Sequence, residues 1–409
     1  MTTQGARLGA HAEPPTPQAA PKISLVVDIP SPSGRGLLIL PFAASDAVTV
    51  NELAPNYPKV QQGLPPAPST DFATVSNNPV GSFLTVPPHY KNAYAQQFNF
   101  GVEHELKVSN IVLKAFGLGN LGRDLDINYN INQANPGPGA IAPRMPLYGI
   151  APGVVGDTLT ATDGNSDYLA LQLTAEKRFS NGLSFLSSYS YAHAIDDVPL
   201  QEGGNGEGPI PQDPRYRFLD RGDSLFDIRH RFSQTLLYDL PVGQGKRFHF
   251  EQKWANTMLG DWQVNMILSA QTGLPFAPVL ANSVANTGSS SRPNRVADWH
   301  IPNPTITHWF NTALNTAGAP WVTPAQFTYG NAGRGILRGP GRTDVDFSVF
   351  KEFPITERFH LQFRGEFFNI LNHPQFDLPG QTIGSPSAGV ISSTVGTPRD
   401  IQFSLRLLF

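Results

Sequence analysis

The strongest constraint in this sequence is a period of two. In the last nine residues Ile401, Phe403, Leu405, Leu407 and Phe409 alternate with Gln402, Ser404, Arg406 and Leu408, so an extended backbone places the whole first set on one side. The pattern recurs along the chain. Trp262, Val264, Met266, Leu268 and Ala270 oppose Gln263, Asn265, Ser269 and Gln271, with Ile267 as the exception. Leu169, Leu171, Leu173 and Ala175 oppose Gln172, Thr174, Glu176 and Arg178, and Phe359, Leu361, Phe363 and Phe367 oppose His360, Gln362, Arg364 and Glu366. Further strands are expected at 95–102, 111–117, 183–194, 228–240 and 344–353, nine in all.

Composition narrows the fold class. Only 15% of the 409 residues are charged, against about 25% in ordinary soluble domains. Gly and Pro number 38 each, which disfavours coiled coils and helical bundles. No stretch approaches the roughly 18 apolar residues that a membrane-spanning helix needs. A net charge of -3 lacks the basic surface of a nucleic-acid binder. With no cysteine, a disulfide scaffold, a thiolate zinc site and a cysteine nucleophile are excluded.

The connections between strands alternate in length. Short ones are HELKVSN, SNG after Phe179 and PIT after Phe353. Long ones, rich in Gly, Pro, Asn and Ser, run over 119–167, 193–227, 276–343 and 372–398. A soluble sandwich has no reason to gather its long loops at one end. A bacterial outer-membrane barrel does, with short periplasmic turns, long extracellular loops and strands of about 10 residues that are apolar outside and polar inside. The connection 241–261 is longer than this scheme asks for. Tyr189, Tyr191, Tyr238, Trp262, Phe359 and Phe409 fall near strand ends, where aromatic girdles belong. The expected fold is therefore all-β, an antiparallel transmembrane β-barrel of outer-membrane type with nine or ten strands. Residues 1–90, rich in Pro and Ala, are expected to be linker or surface loop with one or two strands, and 91–409 to be barrel wall.

Several stretches resemble the C-terminal barrel of Oar-like TonB-dependent outer-membrane transporters, the receptors that carry a carboxypeptidase-regulatory-like domain. They are AYAQQFNFGVEHEL, YLALQLTAEKRFSNGLSFLSSYSYAHAIDD, DIRHRFSQTLLYDLPVGQGKRF, LGDWQVN with SAQTGLPF, GNAGRGILRGPGRTDVDFSVFKEFPITERFHLQFRGEFFNILNHPQF, and PRDIQFSLRLLF. They occur in the family's order over about 92–409. The terminal Phe403, Leu405, Leu407 and Phe409 resemble the signal by which such barrels are handed to the barrel assembly machinery. The resemblance implies a wall of about 22 strands, more than this sequence offers, together with a plug and an energy-coupling box that are not found in it. MTTQGARLGAHAEPPTPQAAPK has no apolar signal-peptide core. The expectation is therefore a C-terminal portion of a longer protein.

Other motifs carry less. Gly117, Gly119 and Gly122 match G-x-G-x-x-G, but the residues that follow read as loop rather than as the helix of a dinucleotide site. Arg221, Gly222 and Asp223 form an RGD tripeptide whose chance occurrence in a Gly-rich loop is the better reading. His104 and Glu105 lack the second His of H-E-x-x-H. Asp163–Asp167 with Asp196 and Asp197 offer oxygen ligands for calcium without EF-hand spacing, and an Asx-rich turn is the better reading. Arg229, His230 and Arg231 suit either a path for an anionic solute or a stabilising polar network. Gln362, Arg364, Glu366 and Arg406 are expected to face the lumen.

The sequence thus points to a non-enzymatic transporter or receptor of the Gram-negative outer membrane, without cofactor, metal or nucleic-acid partner. Its loops are expected to capture an unknown solute, and its partners are membrane lipid, the assembly machinery and, where a plug-bearing form exists, the TonB system. Alternatives are an outer-membrane surface adhesin or structural protein and a soluble secreted all-β binding module.

Overall fold

The computed structural model describes residues 81–198 and 211–409 apart from 108 and 244, together with the backbone of the short strands Ile23–Val26, Phe42–Ala43 and Ala47–Val50. Most of the segment 1–90 therefore lies outside the described residues. Nine long strands follow: β1 Tyr94–Leu106, β2 Ile111–Asn130, β3 Val154–Ser180, β4 Leu183–Asp196, β5 His230–Asp239, β6 Gln263–Gln271, β7 Arg342–Pro354, β8 His360–Phe368 and β9 Asp400–Leu408. Each pairs antiparallel with the next. They coincide with the nine expected from alternation. Among the described residues β1 and β9 do not pair with each other, so the sheet is open.

Register fixes the two faces. Leu405 lies opposite Phe363, which lies opposite Lys351; Leu407, Leu361 and Phe353 form the next row, and Ile401, Phe367 and Phe347 another. Paired residues point the same way, so these rows share one face, which continues through Met266, Leu236, Phe185, Leu171 and Leu173 as far as Phe98, Phe100 and Val102. On it Phe403 and Leu405 are 66% and 67% exposed. Leaving a large apolar side chain in water forfeits about 1.5–3 kcal/mol each, and a whole row is stable only where lipid covers it. The opposite face carries Gln402, Ser404 and Arg406 against Glu366, Arg364 and Gln362.

Two glycines serve close packing in this wall. A Cβ on Gly119 would lie 2.1 Å from the ring of Phe98, and one on Gly101 would lie 2.1 Å from the ring of Phe116. Aromatic rings of the partner strand thus fill the space that these glycines leave. The G-x-G-x-x-G match sits inside β2, which runs on to Asn130. This corrects the expected loop at 119–167: Leu125, Ile127 and Tyr129 alternate with Asp126, Asn128 and Asn130, and after a register shift between Gly122 and Leu125 they continue the ladder with β3. Asp163–Asp167 likewise belong to β3 rather than to a turn.

At 27 residues β3 is far longer than a crossing requires, since about 9–11 residues span the hydrocarbon and 27 extend about 90 Å. Its first part stands clear of the membrane. At one end of the sheet the connections are 107–110, 181–182 and 355–359, where Asn181 and Gly182 take φ of 53° and 77° as a two-residue hairpin requires. At that end, too, 240–262 contains a short helix, Lys253–Leu259. The connections at the other end are 131–153, 197–229, 272–341 and 369–399. The described residues of these long loops are folded. Phe276, Trp299, Phe310, Trp321, Leu337 and Ile383 form a buried cluster, and Val279–Leu280 pairs with Thr382–Ile383 across two loops. A cap with its own core therefore stands over the extracellular end.

Candidate solute site at the extracellular mouth

A cavity of about 420 Å³ opens at the extracellular end of the polar face, within the range of small-molecule sites. Ser269 and Gln271 of β6 and Arg342, Asp344 and Asp346 of β7 line it, with Asp400 at the start of β9. Their common orientation follows from the register, in which Gln271 lies opposite Arg342 and Ser269 opposite Asp344. Loop 369–399 forms the remaining wall and is pinned to the strands. The amide of Asn369 donates to Asp346 Oδ1 at 2.9 Å, and that of Thr343 donates to Gln375 Oε1 at 3.0 Å. Three carboxylates facing one arginine suit hydrogen-bond donors and cationic groups on a solute.

The polar residues expected in the lumen lie further along the same face. Arg364 stands 3.5 Å from Glu366 and over the Phe350 ring at 4.7 Å, and Gln362 donates to Glu352 at 3.0 Å. Arg406 lies opposite Gln362. They share a face with the cavity without lining it. The cavity's own Asp344 and Asp346 were missed, although DVDFSV carries the signal: Asp344, Asp346 and Ser348 alternate with Val345, Phe347 and Val349. Phe403, Leu405 and Leu407 lie on the lipid-facing row, and the Phe409 ring lies tilted, 6.5 Å from that of Phe359, at its periplasmic edge.

A charge network joins the cap to β4. Asp223 accepts hydrogen bonds from Arg229 at 3.0 Å and from Arg338, with His193 Nε2 at 2.9 Å. Buried Asp227 accepts from Arg229 Nε at 2.9 Å, from Arg338, and from the amide of Ala194 at 2.6 Å. Burial works against ionisation of Asp223, but the bonds from His193, Arg229 and Arg338 outweigh it and hold the carboxyl below its usual range. Asp220 goes the other way, because its burial raises the carboxyl although Arg292 lies 2.7 Å away. The RGD tripeptide is thus tied down, with Asp223 in this network and Arg221 bonded to Asp167.

Three of the four aspartates offered as calcium ligands are paired with arginine as well, and the fourth, Asp197, accepts from the Asn165 amide at 2.6 Å. Asp163 meets Arg217, Asp167 meets Arg123 at 2.7 Å, and Asp196 meets Arg334. Among the described residues no group of His, Asp and Glu is placed to hold a metal. The 229–231 cluster is split by alternation: Arg231 lies opposite Gln271 on the polar face, whereas His230 packs against Tyr189 and Tyr191 on the other.

An open meander, apolar on one face and polar on the other beneath folded loops, is the wall of a membrane barrel, and the sequence profile described as "Outer membrane beta barrel domain" matches residues 30–402. The chain belongs to this family. As an outer membrane beta barrel protein it resides in the outer membrane of a Gram-negative bacterium. Among curated proteins none matches it. Solved structures similar to it include the outer membrane transporter YddB from Escherichia coli, 11% identical with a TM-score of 0.43, over 80% of this chain and 34% of that one. The ferric preacinetobactin receptor BauA from Acinetobacter baumannii is 12% identical with a TM-score of 0.37, over 77% and 29%. The pyoverdine receptor FpvA from Pseudomonas aeruginosa is 10% identical with a TM-score of 0.37, over 78% and 30%. The barrel chain spans about a third of the length of these structures.

Proposed function

We propose that this chain is a wall section of an Oar-like TonB-dependent receptor, with residues 91–409 as its C-terminal barrel portion and the Pro-rich 1–90 as a loop-like segment before it. The cap captures a solute at the mouth cavity, and the solute passes along the lumen face without covalent chemistry. In this reading Gln362, Arg364, Glu366 and Arg406 line the path. Phe403, Leu405, Leu407 and Phe409 serve as the signal to the assembly machinery, and the TonB system acts through a plug in the complete receptor. The observation that carries the reading is the polar cavity set between folded extracellular loops and a polar inner face. A panel of ferric hydroxamate and catechol chelates, oligosaccharides and peptides, titrated against the detergent-solubilised chain, tests it. Saturable binding that weakens at least tenfold in Asp344→Asn/Asp346→Asn supports the mouth site, and binding that survives unchanged overturns it.

A surface adhesin is the second reading, favoured by Tyr216, Phe218, Leu219 and Phe226, all more than half exposed on one cap loop. Solute-independent clumping of cells displaying the chain, lost in Phe218→Ser/Phe226→Ser, supports that reading.

A further inference from the structure

The long connection 240–262 has no place among short periplasmic turns, and a charge on the lipid face explains it. Lys351 sits in the apolar row of β7, opposite Phe363 and one row above Phe353 and Leu361 at the periplasmic edge. A lysine there would be costly in hydrocarbon. It is nevertheless only 3% exposed, because its ammonium donates to the carbonyl of Gly260 and lies over the rings of Trp262 and Phe353 at 5.7 and 5.1 Å. The Trp262 indole meets Phe363 edge-on in the same row and donates to the Met258 carbonyl at 2.9 Å. Segment 240–262 therefore folds up against the outer face of the wall, not beneath the lumen.

That position leaves apolar side chains where a soluble turn would carry polar ones. Around helix Lys253–Leu259, Trp254, Ala255, Met258 and Leu259 fall on one arc and Lys253, Asn256 and Thr257 on the other. Ala255 is buried, whereas Trp254, Met258 and Leu259 are 70%, 58% and 52% exposed. Phe248 precedes them at 55%, beside Arg247, whose guanidinium lies 5.5 Å from its ring. Asn256 closes the piece into a unit, accepting from the Phe250 amide at 2.8 Å. The exposed arc is continuous with the lipid face through Trp262 and Phe363, and it lies where hydrocarbon gives way to headgroups.

We propose that residues 247–259 form an interfacial anchor seated in the periplasmic phospholipid leaflet, with Trp254, Met258 and Leu259 at the acyl boundary and Arg247 and Lys253 at headgroup level. The anchor rests on the membrane face of the sheet and is independent of the transport reading. Because the chain has no cysteine, single labels report it directly. The full chain is labelled with nitroxide at Trp254→Cys, Met258→Cys, Thr257→Cys or Leu405→Cys in vesicles of phosphatidylethanolamine and phosphatidylglycerol, and collision with oxygen is compared with collision with a water-soluble nickel chelate. Labels at 254 and 258 are expected to favour oxygen several-fold over the label at 257, approaching the value at 405. If 405 reports lipid while 254 and 258 match 257, the anchor is overturned. If 405 itself reports water, the face assignment falls and the anchor with it.

Discussion

Leu405 is exposed on the face that lipid covers, whereas its neighbour Ser404 lies opposite Arg364 on the polar face. Leu405→Arg should therefore cost up to about 2–4 kcal/mol, the value reached at the bilayer midplane, while Ser404→Arg costs little, measured by denaturant unfolding from phospholipid vesicles. Equal costs would refute the assignment of faces. The cap offers a second single-residue test, through pH. The folded carboxyl of Asp223 titrates below its unfolded value, so the stability it contributes is complete above about pH 3.9 and is lost as pH falls through the folded value. Asp220 has the opposite sign, since its raised carboxyl penalises the ionised form and protonation relieves that cost on acidification. Limited proteolysis of the cap should accelerate below about pH 4, and Asp223→Asn should flatten that dependence while raising cleavage at neutral pH. An unchanged pH profile in Asp223→Asn would show that this network does not hold the cap.

At the scale of the element, strand placement was legible because lipid enforces it. A side chain facing hydrocarbon must be apolar and its neighbour facing the lumen polar, so all nine strands left a period of two in the sequence. Strand ends were less legible. Above the membrane no lipid has to be faced, so Asp126, Asn128 and Asp163 are tolerated beside the buried Ile127 and Ala161, and the segment reads as loop although it pairs. The cap was legible only as loop, because its cluster unites residues as distant as Phe276 and Ile383, and contacts of that range leave no local period. Glycine's part in the wall was equally hidden. Gly117 and Gly119 look alike in G-x-G, yet a Cβ at 117 would find its nearest atom at 3.8 Å and one at 119 would enter the Phe98 ring. Gly119→Ala is expected to destabilise by about 1–3 kcal/mol and Gly117→Ala to be near neutral, in the same unfolding assay. Indistinguishable effects would mean that Phe98 does not sit on Gly119.

For the whole molecule the decisive feature is the pair of free edges. Among the described residues β1 and β9 have no partner in each other, and an open edge in hydrocarbon leaves a row of backbone groups unsatisfied at several kcal/mol each. The wall is thus complete in a membrane only when further strands cover both edges, as the proposed larger receptor would supply. Cysteine pairs distinguish this from closure of the nine strands upon themselves. Gln362→Cys with Arg406→Cys, partners across β8 and β9, should oxidise readily within one chain. Gln97→Cys combined in turn with Gln402→Cys, Ser404→Cys and Arg406→Cys scans the register in which β1 could meet β9 on the polar face. None of these edge pairs is expected to form an intrachain disulfide in the membrane-inserted chain. One that did, in a monomer that migrates faster before heating than after, would show a small closed barrel and remove the need for a larger wall.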